Sequence, residues 1–206
     1  MPADPKYIIF DVGNVLIHWD PEHLYRTLIP DDQKRRRFLT EVCSMAWNLE
    51  QDLGRPWRDA VAILSAQHPA ETDLIRAYDE RWHEMVPGAI QGSVTILAEL
   101  KRTGVPLYAI TNFSTEKYAE AQTRFPFLAH SFIDTVVSGA VGLIKPDPAI
   151  FQLLLDRNGL DPRQCVFIDD SLKNITAARA LGLTGHHFTG PDALAEDLRG
   201  LGFPVG

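Results

Sequence analysis

The stretch Tyr7-Ile8-Ile9-Phe10-Asp11-Val12-Gly13-Asn14-Val15-Leu16 sets an apolar run directly against a carboxylate and a glycine. Tyr, Ile and Phe favour a buried strand, and a short apolar run bounded by turn-forming residues fits one. Asp11 then falls at the carboxyl end of that strand, on a turn loosened by Gly13. In open α/β sheets this end of the strands is where ligands and catalytic groups gather. Taken alone, an Asp after a strand is also an ordinary turn residue, so the remaining chain decides between the two readings.

From about Pro21 to Glu84 the pattern is helical, with no strand-like alternation. Leu24, Leu28 and Ile29 share one helical face, and Phe38, Val42, Met45 and Ala46 form a further stripe. Val61 and Leu64, then Leu74, Ile75 and Tyr78, continue it. Beyond Pro87-Gly88 strands and helices alternate. A helix carrying Val94, Leu97, Ala98 and Leu100 stops at Gly104, and the run 105–111 is a second buried strand. Ser114 caps a helix to Arg124. A third strand spans 133–137, ending at Ser138-Gly139, and a helix runs from Pro148 to Gly159. A fourth strand spans 165–169, a helix follows over 171–181, and a last short strand lies at 186–188.

This order predicts an α/β fold with a doubly wound, mostly parallel, Rossmann-like sheet. The core is expected over residues 1–17 and 87–206, with an all-helical insert over 18–86. At roughly 65–70 residues the insert is too long for an ordinary βα connection.

A chain of 206 residues buries a substantial core, as one domain or one domain with an insertion. Its net charge of −7 argues against a nucleic-acid partner, since no excess of Lys or Arg is there to neutralise phosphates. The basic cluster Lys34-Arg35-Arg36-Arg37 reads as a solvated helix face. No apolar stretch approaches a membrane span, and the N-terminus has no apolar signal core. With only Cys43 and Cys165, and no metal-ligand spacing between them, the expectation is a disulfide-free cytoplasmic protein. The partner expected is a small-molecule substrate, and the chain a monomer or homodimer.

Four polar signals fall at or just after strand carboxyl ends: Asp11, Thr111-Asn112, Lys145-Pro146 and Asp169-Asp170. A parallel sheet brings all four to one edge. In this order the segments YIIFDVGNVL, YAITN, KP and VFIDDSLKN resemble the four motifs of the haloacid dehalogenase (HAD) superfamily of hydrolases. The helical insert after the first motif is similar to that family's C1-type cap. The resemblance implies that Asp11 is the nucleophile, with Lys145 and Thr111 as catalytic partners, Thr111 and the backbone near Asn112 bonding the phosphoryl oxygens. It also implies an Mg²⁺ held by Asp11, Asp170 and the carbonyl of Gly13, with Asp169 helping directly or through water. An oxygen-only donor set of this kind suits a hard divalent cation. Ser171 and Asn174 are candidates for orienting the acidic loop. In the insert, Trp47, Asn48, Asp52, Gly54 and Arg55 are candidates for a specificity loop, Trp47 and Asp52 contacting substrate. Core packing for Trp47, and a surface pair between Asp52 and Arg55, are the plain alternatives.

One position departs from the family's phosphatases. They carry a second Asp two residues after the nucleophile as general acid, and here that residue is Gly13. Loss of a general acid removes roughly 10²–10⁴-fold in rate. Expulsion of halide needs no proton, so a metal-independent 2-haloacid dehalogenase stands as the alternative, beside a degenerate relative that binds without turnover. Against dehalogenation, Asp169-Asp170 would repel a carboxylate substrate, and Val15 replaces a Thr common in dehalogenases. The Asp-x-Gly-Asn-Val form also resembles a subgroup of sugar-phosphate phosphatases, glucose-1-phosphate phosphatase among them. The resemblance therefore implies hydrolysis of a phosphate monoester, a sugar phosphate among the candidates, through an aspartyl-phosphate. His18 and His23 are the other candidate proton donors. Phospho-receiver domains gather Asp, Thr and Lys at a similar edge, but they place their acidic pair after the first strand and have no helical insert.

Overall fold

The computed structural model describes residues 5–206. Five strands, β1 (Tyr7–Phe10), β2 (Leu107–Thr111), β3 (Asp134–Val137), β4 (Cys165–Asp169) and β5 (Thr184–His187), form one sheet in the order β3-β2-β1-β4-β5. Every neighbouring pair is parallel. The chain runs from β1 out through β2 to β3, then returns to build β4 and β5 on the other side. The border between β1 and β4 is therefore the point where the winding reverses, and ligands of such sheets bind beyond the strand ends there.

Period-2 alternation sorts the strand residues into two layers. Ile8, Phe10, Leu107, Ala109, Val166 and Ile168 face one core, and Ile9, Tyr108, Ile110, Cys165 and Phe167 face the other. Leu97, Leu100, Leu194 and Leu198 cover the first face, from α6 (Gln91–Arg102) and α12 (Pro191–Gly200). Ile150, Phe151, Leu154, Ile175 and Ala178 cover the second, from α10 (Pro148–Asn158) and α11 (Leu172–Ala180). Strands buried on both faces read as continuous apolar runs, which is why β1 and β4 are legible in the sequence.

The insert folds as α1 (Glu22–Leu28), α2 (Asp32–Arg37), α3 (Met45–Asp52), α4 (Trp57–Gln67) and α5 (Thr72–Glu80). The single stripe expected through Phe38, Val42, Met45 and Ala46 is corrected here. Phe38–Val42 forms a π-helical turn, and the Ser44 hydroxyl caps a new helix by accepting from the Trp47 amide at 3.2 Å. Phe38 and Val42 stay buried while Met45 is 52% exposed. The basic cluster is solvated except at Arg35, which is buried and bonds Glu22 at 2.7 Å and Asp32 at 2.5 Å.

Between β2 and β3 lie α7 (Thr115–Arg124), capped by Ser114 as expected, and the one-turn α8 (Phe127–His130). The third strand starts at Asp134, leaving Ile133 64% exposed, and Ser138-Gly139 opens the one-turn α9 (Ser138–Val141). Helix α12 was not anticipated from the sequence pattern. Both cysteines are buried free thiols. Among the described residues no helix is long and apolar enough to cross a membrane.

Candidate active site

The register of the sheet brings Asp11, Thr111 and Asp169 to one edge, and Lys145 joins them from a loop eight residues beyond β3. Phe10 pairs with Ile168, so Asp11 and Asp169 are the next residues on adjacent strands, and the Asp11 amide donates to the Ile168 carbonyl at 2.8 Å. Lys145, from the segment between α9 and α10, reaches back between them. Its Nζ lies 2.9 Å from Asp11 Oδ1 and 2.7 Å from Asp169 Oδ2. All three side chains are buried. Charge-assisted bonds of this length are the strong ones, and the two carboxylates hold the ammonium in one place.

Asp169 is saturated with donors. Besides Lys145, it accepts from the Ser171 backbone N–H at 2.7 Å and from Asn174 Nδ2 at 3.0 Å on each oxygen. Ser171 thus acts through its backbone, and Asn174 through its side chain. Asp11 Oδ1 accepts from the Val12 amide at 2.7 Å as well as from Lys145. Asp11 Oδ2 and the exposed Asp170 carboxylate have no hydrogen-bond donor among the described residues. One oxygen each from Asp11, Asp169 and Asp170 lies within 4.8 Å of the others. That donor set is all oxygen and anionic, and it fits a hard divalent cation.

Burial pushes the Asp11 carboxyl up to about 7, with Lys145 pulling it down and Asp169 adding to the rise. Burial alone would lower Lys145, but Asp11 and Asp169 outweigh it and hold the ammonium above its ordinary value. Asp170 is raised by burial and by the neighbouring Asp169. Added positive charge at this cluster therefore favours the ionised carboxylates.

Thr111 is buried at the end of β2, one register position beyond Asp11, and its hydroxyl has no hydrogen-bond partner among the described residues. The Asn112 side chain is engaged within the protein. Its Nδ2 donates to the Lys145 carbonyl at 3.0 Å and its Oδ1 accepts from the Lys145 amide at 2.9 Å. The primary amide thereby pairs like a peptide unit and braces the backbone that delivers Lys145.

Above the strand ends a cavity of about 180 Å³ opens between the core and the insert. Gly13 and Asn112 form its floor, with apolar walls from Trp19, Leu49, Trp57, Trp82 and Phe113. Asp52 lines it too. Trp47 does not: it packs edge-on against Trp57 (5.6 Å, 81°) and Tyr78 (5.3 Å, 87°), supporting the wall from behind. Trp57 is the wall itself, and its Nε1 donates to Ser114 Oγ at 2.8 Å, tying insert to core. The Asp52–Arg55 pair is absent, because α3 ends at Asp52. Arg55 donates instead to Gln51 Oε1 at 2.7 Å and the Trp47 carbonyl at 3.2 Å. Gly54, with φ +108°, passes so close to the core that a Cβ would sit 3.0 Å from the Gly139 carbonyl oxygen. His18 and His23 are exposed and line an adjoining cleft that shares Asn14, Trp19 and Met45 with this cavity.

Comparison with known proteins agrees with this arrangement. The chain is 29% identical over 200 residues to the sesquiterpene phosphatase astK of Aspergillus oryzae, covering 95% of this chain and 96% of that protein. It is 26% identical over 198 residues to the glyceraldehyde 3-phosphate phosphatase of Methanopyrus kandleri, covering 86% and 81%. Several longer relatives are matched over about half of their length. In fold it is similar to a HAD family enzyme of Bacteroides thetaiotaomicron solved with magnesium and inorganic phosphate, at a TM-score of 0.71 and 22% identity over 90% of this chain and 95% of that one. Residues 5–182 match the haloacid dehalogenase-like hydrolases, and with a lysine bridging two carboxylates at the winding reversal, the chain belongs to that family.

Proposed function

We infer that the protein hydrolyses a phosphate monoester of a small molecule through an aspartyl-phosphate on Asp11, with Mg²⁺ bound by Asp11, Asp170 and the Gly13 carbonyl and supported by Asp169. The observation that carries this reading is the meeting of three carboxylates within 4.8 Å around the Lys145 ammonium. Such a cluster suits a cation and a phosphoryl group, and it is hostile to the free carboxylate of a haloacid. Similarity to two phosphatases and to a fold solved with magnesium and phosphate points the same way.

In this reading Asp11 attacks phosphorus through a carboxylate oxygen, and the ester P–O bond breaks with its electron pair on the departing oxygen. Lys145 holds the attacking carboxylate in place and offsets the charge of two approaching anions. The Thr111 hydroxyl donates to a phosphoryl oxygen. Water then cleaves the acyl phosphate, releasing phosphate and restoring Asp11. When bound, Mg²⁺ supplies further positive charge against the phosphoryl oxygens. Residues 18–86 act as a cap that keeps water from the strand ends.

Turnover of any active ester is expected to fall to background in excess EDTA and to return with Mg²⁺. The same additions are expected to lower and raise the Tm. Undiminished hydrolysis in EDTA would sink the metal assignment, and halide release from 2-chloropropionate without metal would favour dehalogenation.

The cavity walls also bear on the organic part of the ester. Their polar groups are mostly engaged already: Ser114 Oγ with Trp57 and the Lys117 amide, Lys117 Nζ with Asp79 Oδ1 at 2.7 Å, Asn14 Oδ1 with the Trp19 amide at 2.9 Å. A sugar buried there would leave hydroxyls unpaired, at about 1–3 kcal/mol each. Benzyl phosphate is therefore expected to exceed glucose phosphates in kcat/KM by roughly tenfold or more. The reverse order would remove the apolar preference and restore the sugar phosphate suggested by the Asp-x-Gly-Asn-Val resemblance.

A further inference from the structure

The described residues hold one buried carboxyl that the reaction above leaves unused. Asp52 is the last residue of α3, 9% exposed, and it lines the same cavity as Gly13. Its Oδ2 accepts from Asn48 Nδ2 at 3.0 Å. It makes no ion pair among the described residues. Arg55 is turned to Gln51 and Trp47, and the Lys117 ammonium is held by Asp79 and Glu120. The Tyr78 phenol, buried close enough to feel the Asp52 charge, has an oxygen without a hydrogen-bond partner.

For stability alone this is a poor place for an acid. A negative charge at a helix C-terminus opposes the helix dipole, and burial without a cation adds to the cost. Burial correspondingly pushes the carboxyl up to about 7, so it retains a proton into the neutral range. The position is nonetheless held firmly. The Asp52 carbonyl accepts from Ser138 Oγ at 2.5 Å, and that hydroxyl accepts from the Phe113 amide at 2.8 Å, which fixes the end of α3 against β2 and β3.

Across the cavity floor, a Cβ built on Gly13 would meet nothing within 4 Å. The cavity thus extends from where the family's usual acid would project to the Asp52 carboxyl. In-line displacement sends the departing oxygen to the side opposite the attacking Asp11 carboxylate, and the cavity that opens at Gly13, two residues along the chain, is the space beside it.

We propose that Asp52, reaching from the insert, protonates the leaving oxygen in place of the acid that position 13 lacks. This rests on the phosphatase reading. As the P–O bond breaks, the ester oxygen takes the Asp52 proton and departs as an alcohol, leaving a carboxylate. The water that cleaves the aspartyl-phosphate returns a proton to that carboxylate, and both residues are reset.

The test compares Asp52→Asn with the wild type on benzyl phosphate, whose alkoxide needs a proton, and on p-nitrophenyl phosphate, whose phenolate does not. Asp52→Asn is expected to lose about 10²–10⁴-fold in kcat on benzyl phosphate and less than about tenfold on the nitrophenyl ester. Equal losses on both esters would make Asp52 a positioning residue, and no loss on either would make it a bystander; both overturn the proposal. A second variant, Gly13→Asp in the Asp52→Asn background, is expected to regain benzyl phosphate turnover selectively, because the open space admits the side chain. Should the wild type turn over neither ester nor any other phosphate, the phosphatase reading falls and this proposal with it, an outcome distinct from the Asp52 results.

Discussion

Asp11→Asn is expected to abolish turnover while leaving the protein folded, with a stability that gains on the wild type's as pH rises to neutral. Removing the nucleophile of a covalent mechanism costs roughly 10⁴–10⁶-fold in kcat, since an amide neither attacks phosphorus nor forms the acyl phosphate. The stability effect follows from the folded-state pKa, raised by burial from 3.8 to about 7. A carboxyl raised in this way contributes stability that is complete below its unfolded value and is lost as pH rises through the folded one. Asn carries no such charge, so its advantage grows between about pH 4 and 7 and then levels off. Thermal unfolding without divalent cation at pH 5 and pH 8 measures it, and a Tm gap that narrows with pH would contradict the burial argument. The Tm rise on adding Mg²⁺ is expected to shrink in the variant, because one ligand has lost its charge. Activity and stability thus pull Asp11 in opposite directions, as is common where a site holds groups its fold would rather not bury.

That tension also marks what the sequence made legible. Strands buried on both faces announce themselves as apolar runs, and β4 spans Cys165–Asp169 as the run predicts. The residue that ends each run is polar because it leaves the core for the strand-end edge, so Asp11, Thr111 and Asp169 were readable by the same rule. Lys145 reads in the sequence as a polar signal beyond the third strand, but its reach between two carboxylates depends on a loop that no periodicity describes. The insert was less transparent. Helical spacing runs through Ser44 without a break, yet the hydroxyl of Ser44 caps a new helix and turns Met45 outward. The alternative of a surface pair between Asp52 and Arg55 is not realised, since α3 stops at Asp52 and Arg55 turns back to Gln51 and Trp47. Trp47 and Trp57 carry the same chemistry in the sequence; which of them faces the cavity is decided by the tie from Trp57 to Ser114, a contact 57 residues away. Local patterns find elements and their ends, whereas contacts between the insert and the core decide which side chains see the substrate.

The second large effect concerns Lys145. Lys145→Met removes the one cation from a buried cluster and leaves Asp11 and Asp169 facing each other without it. Breaking a buried ion pair by deleting one partner costs about 3–5 kcal/mol, because the remaining charge stays desolvated. Lys145 is held above its ordinary pKa by those carboxylates, so its contribution is intact throughout the neutral range and is lost only as pH rises through its folded value. The deficit in the Met variant is instead relieved as pH falls, when Asp11 takes up a proton. Thermal unfolding is therefore expected to show a lower Tm at pH 8 and a smaller difference at pH 5. Added Mg²⁺ is expected to raise the Tm of Lys145→Met by more than that of the wild type, since the bare carboxylates gain more from a cation. Combining Lys145→Met with Asp11→Asn and Asp169→Asn removes the unpaired charges and is expected to recover most of the lost Tm without any activity. A Lys145→Met protein as stable as the wild type at pH 8 would mean that water already screens this cluster. Its carboxylates would then lack the dry surroundings that let one lysine bring two anions together.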